Sequence, residues 1–197
     1  MLSLKLTTLA LLATLSVAAP TPASTTVTSS ISTTSSSEEI KPFSFSQWVD
    51  DILNPNVVAL TPEQALEAYY ESINNSTTTS SGPELSKRAG AACETDNSKR
   101  MPVADAVWLV NTMAAAGQKL VYIHAPFISK VAEETANGRS RIIGQKTLPT
   151  ELFEPSEYWA RAGGFIMDAC TWGSMSGGKI LMPANQFITV LLQGEGY

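Results

Sequence analysis

The chain has 197 residues, 44% hydrophobic and 16% charged, with 13 Lys and Arg against 18 Asp and Glu, one His and two Cys. A formal net charge of −5 argues against nucleic acid or an anionic membrane surface as partner, because both are bound through basic patches. Two cysteines and one distant histidine do not supply the clustered ligands that zinc requires, so neither a metal nor a cofactor is expected.

Lys5 precedes the apolar run "LTTLALLATLSVAA", which is too short to span a bilayer and ends in Val17, Ala18 and Ala19 before Pro20. That is the pattern of a secretory signal peptide over residues 1–19, and it predicts a secreted, extracellular protein. No later run is long and apolar enough to form a transmembrane segment. From Pro20 to Glu39 the chain is mostly Ser and Thr, a composition that predicts disorder and suits O-glycosylation.

Two short amphipathic helices follow. In "SFSQWVDDIL", Ser46 is placed to cap a turn carrying Trp48, Val49, Ile52 and Leu53. In "TPEQALEAYYESI", Thr61 is the N-cap, Pro62 the first helical residue and Gln64 the third, a capping box. Asn74 and Asn75 begin overlapping N-glycosylation acceptor sites, and a Thr, Ser, Gly and Pro linker then leads to Lys87-Arg88. A protease needs an extended backbone, which a flexible linker provides. This layout resembles the secreted precursors of fungi, in which a pro-region, here residues 20–88, ends at a Lys-Arg pair cut by a kexin-type protease. A second pair, Lys99-Arg100, is expected to be shielded by folded structure, since cutting there would detach Cys93. The two helices carry Trp48, Ile52, Leu53, Leu66, Tyr69 and Tyr70. They are expected either to pack transiently on the nascent domain, assisting its folding or masking its binding face, or to be plain spacer.

Residues 89–197 remain after such a cut, enough for one compact domain. With nine basic and ten acidic residues it is close to neutral. Cys93 and Cys170 both lie in it, and in an oxidising compartment such a pair forms a disulfide; free thiols or an intermolecular bridge are the alternatives. "PVADAVWLVNTMAAAG" predicts a helix opened by Pro102, with Asp105 in its first turn, Val103, Val107, Val110 and Ala114 on one stripe, and a stop at Gly117. "KLVYIHA" predicts a strand ended by Pro126, and "SRIIGQ" a shorter strand after the Asn137-Gly138 turn. "ISKVAEETA" fits either class. Residues 145–155, with Pro149 and Pro155, read as a loop. Ser156 is placed to cap "EYWARAGGFIMDACTW", a helix weakened by Gly163 and Gly164, and "NQFITVLLQ" closes the chain as a strand. With a short strand at residues 89–95, the order is β-α-β-β-α-β. It predicts an α+β fold of the split-βαβ (ferredoxin-like) kind: an antiparallel sheet with two helices on one face.

The order "C…PVADAVWLVNTMAAAG…RSRIIG…FIMDACTWGSMSGGKILMPANQFITVLL" resembles a broad group of small secreted fungal proteins. Some of its members are similar to the virally encoded killer toxins of smut fungi and are counted among plant-associated effectors. The resemblance implies a bridge between Cys93 and Cys170 and gives no catalytic residue to carry over. The chain departs from the group in lacking further cysteines near Ala125 to Ser140, and in its longer loop at residues 145–155.

Single residues point weakly to chemistry. His124 sits in an apolar strand without a partner close in sequence, and Asp168 reads as a solvated helix face. Glu133, Glu134, Glu151, Glu154 and Glu157 could in principle supply a carboxylate pair for glycoside cleavage, but read as surface charge. "GSMSGGKI" has the spacing of a phosphate-binding loop, yet Ile180 replaces the magnesium-holding Ser or Thr, and Met175 excludes a nucleophile elbow. Trp108 is expected near the buried stripe of its helix, and any aromatic left exposed marks a contact surface. The 145–159 loop, with Tyr158 and Trp159, is the place to look for binding. The sequence therefore favours a non-enzymatic secreted interaction protein with a host, competitor or cell-surface target. The alternative is a small hydrolase whose acid and base meet only in the fold.

Overall fold

The computed structural model describes residues 43–75 and 90–195, and they form three layers around two central helices. The central pair is α3 (Val103–Ala116) and α4 (Ser156–Cys170). Val103, Ala106, Val107, Leu109, Val110, Met113 and Ala114 are buried in α3; Trp159, Ala160, Ala162, Ile166, Met167 and Ala169 are buried in α4. Residues at this spacing cover more than one side of each helix. A helix apolar on more than one side needs cover on more than one side. One cover is a sheet and the other is a second pair of helices.

The sheet has five strands in the order β1-β8-β9-β5-β4. They are β1 (Ala92–Cys93), β4 (Ser129–Glu134), β5 (Arg141–Lys146), β8 (Gly178–Met182) and β9 (Asn185–Gln193). Ile142, Ile180, Met182, Ile188, Val190 and Leu192 are buried, while Lys179, Leu181, Gln145 and Phe187 alternate with them on the exposed face. One face therefore meets the helices and the other meets water, the usual division in an antiparallel sheet. Two small ribbons complete the strands: β2 (Met101–Pro102) with β7 (Met175–Ser176), and β3 (Leu120–Ile123) with β6 (Leu152–Pro155).

The α+β class and the antiparallel sheet agree with the sequence, but the split-βαβ order is corrected. In that unit the first strand lies between the last and the third, whereas here β1 pairs only β8, β9 lies between β8 and β5, and the predicted strand "KLVYIHA" is outside the main sheet. β3 leaves the main sheet because residues 152–155, expected as loop, extend opposite it and bring Phe153 against Tyr122. The ambiguous "ISKVAEETA" supplies β4. Ser156 does not cap α4: its hydroxyl donates to the Lys119 carbonyl at 2.9 Å, and Pro155 occupies the cap position.

The outer pair is α1 (Phe45–Leu53) and α2 (Pro62–Asn75), where the sequence placed two helices. The α1 cap is Ser44 and not Ser46, its Oγ accepting from the Gln47 N–H at 3.3 Å. The capping box of α2 forms as expected, Thr61 N–H donating to Gln64 at 2.9 Å and Gln64 N–H to Thr61 at 3.3 Å. Phe45, Trp48, Val49, Ala65 and Tyr69 are buried, and the Trp48 indole donates to the Leu60 carbonyl at 2.9 Å. Burial of a large apolar side chain contributes about 1.5–3 kcal/mol, so this pair is part of the core and not plain spacer. Asn74 and Asn75 are exposed at the end of α2. Residues 1–42, the Lys87-Arg88 pair and the linker before it lie outside the described residues.

Cys93 and Cys170 form a disulfide, with Cα atoms 5.1 Å apart and 77 residues of sequence separation. It ties β1 to the last residue of α4. In the chain-entropy account, closing a loop of this length contributes about 4 kcal/mol.

Candidate interaction sites

The C-terminal half of α4 is shaped to receive α1. Asp168 Oδ1 accepts the Phe45 N–H at 2.6 Å, and Oδ2 accepts the Ser46 N–H at 3.1 Å, the Ser44 hydroxyl at 2.8 Å and the Ser46 hydroxyl at 2.5 Å. The first N–H groups of a helix have no partner within it and lie at the positive end of its dipole, so a carboxylate there is doubly favoured. Asp168 thus caps α1 from another part of the chain, which corrects the expectation of a solvated helix face. Gly164 lies beneath the same turn: a Cβ there would stand 2.9 Å from the Ser46 Cα. At Gly163 a Cβ would stand 2.6 Å from Val110 Cγ2 on α3. The two glycines, read as a weak point in a helix, are the sites where neighbouring helices approach closely. Tyr69 adds a hydrogen bond to the Gly173 carbonyl at 3.1 Å, and burial raises the pKa of its phenol, with Tyr70 adding and Arg100 opposing. Arg161 pairs with Asp50 at 3.0 Å at the rim.

A second surface lies on the β3–β6 ribbon. The alternation of β3 turns Leu120 and Tyr122 outward, and Phe153 faces Tyr122 from β6 with ring centroids 5.3 Å apart. Just past the strand, His124 stacks parallel to Tyr122 at 5.6 Å, and the loop continues to Phe127 and Ile128, 67% and 71% exposed. His124 Nδ1 is 2.5 Å from Glu151, so the expected unpartnered strand histidine has a carboxylate partner 27 residues away in sequence. Their side chains are 61% and 48% exposed, and a pair so open to water contributes about 0–1 kcal/mol.

The match to known families falls on the part of the chain that carries the sheet. A model of a domain of unknown function (DUF8794) matches residues 88–194, more than half of the chain. The chain belongs to this family. No curated protein and no solved structure matches it.

The remaining sites read from the sequence scatter over the DUF8794 domain. Trp159, expected to bind, is fully buried against the backbone of Gly144, where a Cβ would run into its ring. Tyr158 is half-buried and lines a hollow of about 280 Å³ with Arg161, Phe165, Pro183 and Ala184. Trp108, expected near the buried stripe, is 44% exposed. Glu154 accepts from the Asn185 amide at 2.8 Å and Glu134 pairs with Arg141 at 3.3 Å. Among the described residues no group of three His, Cys, Asp or Glu could hold a metal ion, and no helix is long and apolar enough to cross a membrane.

Arg100 of the second basic pair is buried, in line with the shielding expected of that pair. It donates to the Cys170 carbonyl at 3.3 Å and to the Met175 carbonyl, and its guanidinium lies 3.8 Å from the centre of the Trp172 ring. Burial works to lower its pKa, with Tyr69 opposing. The "GSMSGGKI" stretch runs through β7 into β8 and opens no helix, so it lacks the helix N-terminus on which a phosphate would sit.

Proposed function

We propose that the chain is the precursor of a secreted interaction protein, effector-like or killer-toxin-like, that acts by surface contact and is released by kexin-type cleavage after Arg88. The observation that carries this reading is the exposure of Leu120, Tyr122, Phe127, Ile128 and Phe153 on the ribbon and the loop that follows β3. The Tyr122 and Phe153 rings touch at 5.3 Å, and Phe127 and Ile128 are exposed on the loop that continues from the same strand. Large apolar side chains left open to water mark a contact site, and aromatics are enriched among residues that dominate binding. Three further points support it. The N-terminus has the pattern of a signal peptide; the disulfide suits an oxidising compartment; and the family match begins at Arg88, the boundary the dibasic pair sets. The target is a protein or cell-surface component of a host or competitor.

The hydrolase reading rests on one observation, the His124–Glu151 hydrogen bond, which is the arrangement of an oriented base. A single experiment separates the two. Secreted, processed protein is incubated with host tissue or competitor cells, next to a Phe127→Ser, Ile128→Ser, Phe153→Ser variant. At least tenfold weaker retention of the variant is expected. Equal retention would overturn the assignment of the surface, and release of cleaved cell-wall or protein fragments that Glu151→Gln abolishes would favour the enzyme.

A further inference from the structure

We infer that residues 43–75 are a separable subunit: a helical pair that stays docked on the DUF8794 domain after the backbone between Asn75 and Gly90 is cut. The inference rests on the processing reading above, because only a cut chain has two parts to hold together. It names the ligand of the α3–α4 face as the protein's own upstream segment, bound without a covalent link.

Three features of the docking are independent of the residues that connect the two parts. The first is apolar: Phe45, Trp48, Val49, Ala65 and Tyr69 are 0–7% exposed, and Phe45 joins Phe43 and Tyr69 in a continuous aromatic contact. Buried aromatic anchors surrounded by packed neighbours are what hold protein interfaces together. The second is polar: one carboxylate on α4 receives two backbone N–H groups and two hydroxyls of residues 44–46, so the helix start is recognised by its cap and not by hydrophobicity alone. The third is steric: each of the three atoms nearest to a Cβ at Gly164 belongs to Phe45 or Ser46. Gly164 leaves room for α1, whereas Gly163 leaves room for Val110 of the domain's own α3.

A tether raises the effective concentration of a docked segment to about the millimolar range, and cutting it removes that advantage. Dissociation on cutting would then require the intrinsic affinity to be weak. An interface with buried Phe, Trp and Tyr anchors, a charge-assisted cap and backbone-close packing is of the opposite kind. Release would also uncover Gly164 on α4 and leave the Phe45 and Ser46 N–H groups without their carboxylate.

The test uses the secreted full-length chain, digested with a kexin-type protease, and a second form in which residues 77–82 are replaced by the site of an unrelated protease. Mass analysis establishes the cut, and gel filtration at about 1 μM reads retention, a concentration that tight interfaces survive and loose ones do not. Both fragments are expected to co-elute and to separate only in denaturant. Fragments that elute apart after a confirmed cut would overturn the inference. If Lys87-Arg88 resists cutting while the engineered site is cut, the processing reading fails and the docking is still measured. Gly164→Ala and Asp168→Asn are each expected to weaken retention about tenfold or more with the Cys93–Cys170 bridge intact. Retention unchanged in both would remove α1 from the recognised segment. Gly164→Ala separates docking from folding, since in the domain alone it replaces a poor helix former by the best one.

Discussion

Phe43, Phe45, Tyr69 and Tyr70 make ring contacts of 5.0–5.3 Å inside the outer helical pair, and Tyr122, His124 and Phe153 make contacts of 5.3–5.6 Å on a ribbon that faces water. The two groups are alike in size and spacing and differ in what lies opposite. Against the first stand α3 and α4, with small residues such as Gly164 that let a helix approach; over the second, no layer of the described residues is placed. Aromatic content alone therefore does not mark a binding surface. The complementary face decides whether a cluster becomes core or contact.

Truncation should separate the clusters most sharply at Trp48. Trp48→Ala removes a fully buried side chain and is expected to cost about 3–5 kcal/mol in denaturant unfolding. A loss no larger than that of a ribbon mutant would end the distinction. Asp168→Ala leaves two helix-start N–H groups without their acceptor, for an expected loss of about 1–3 kcal/mol. Combining it with Ser44→Ala and Ser46→Ala should add less than the separate losses, because all three remove the same cap. On the ribbon, Phe153→Ser is expected to lower stability by only about 0.2–1 kcal/mol while weakening target retention at least tenfold, so stability and binding respond in opposite proportion to Trp48→Ala. Glu151→Gln should change the unfolding free energy by less than about 0.5 kcal/mol, since its partner His124 is 61% exposed. A larger loss would mean that the pair is shielded from water.

Much of this organisation is legible in local sequence, and the failures share one cause. Pro102, Gly117 and the Thr61–Gln64 box act within a few residues of the helix ends they set, so α2 and α3 were placed closely from the sequence. The Cys93–Cys170 bridge was readable because only two cysteines exist. β8 is hidden by Gly177 and Gly178 before "KILM" and Pro183 after it, although Ile180 and Met182 alternate with exposed Lys179 and Leu181. Asp168, Gly164 and His124 were misread because their partners lie 122–124, 118–119 and 27 residues away, beyond the reach of any periodicity. Trp159 and Trp108 were exchanged between surface and core because α3 and α4 are covered on more than one side, which blunts the signal that helical phase would otherwise give.

The separation between residues 44–46 and Asp168 also bears on the order of events in synthesis. Ser44 leaves the ribosome more than 120 residues before its acceptor, so α1 and α2 exist for most of translation without the surface that buries their aromatics. Helices this short are marginal alone in water. The first of the described segments to be made is consequently among the last to find its place: it waits for α4, and α4 is held at its end by a disulfide to a strand made 77 residues earlier. At about 5–20 residues per second, that interval lasts some 6–25 seconds, during which Phe45, Trp48 and Tyr69 remain available to chaperones or to other nascent chains.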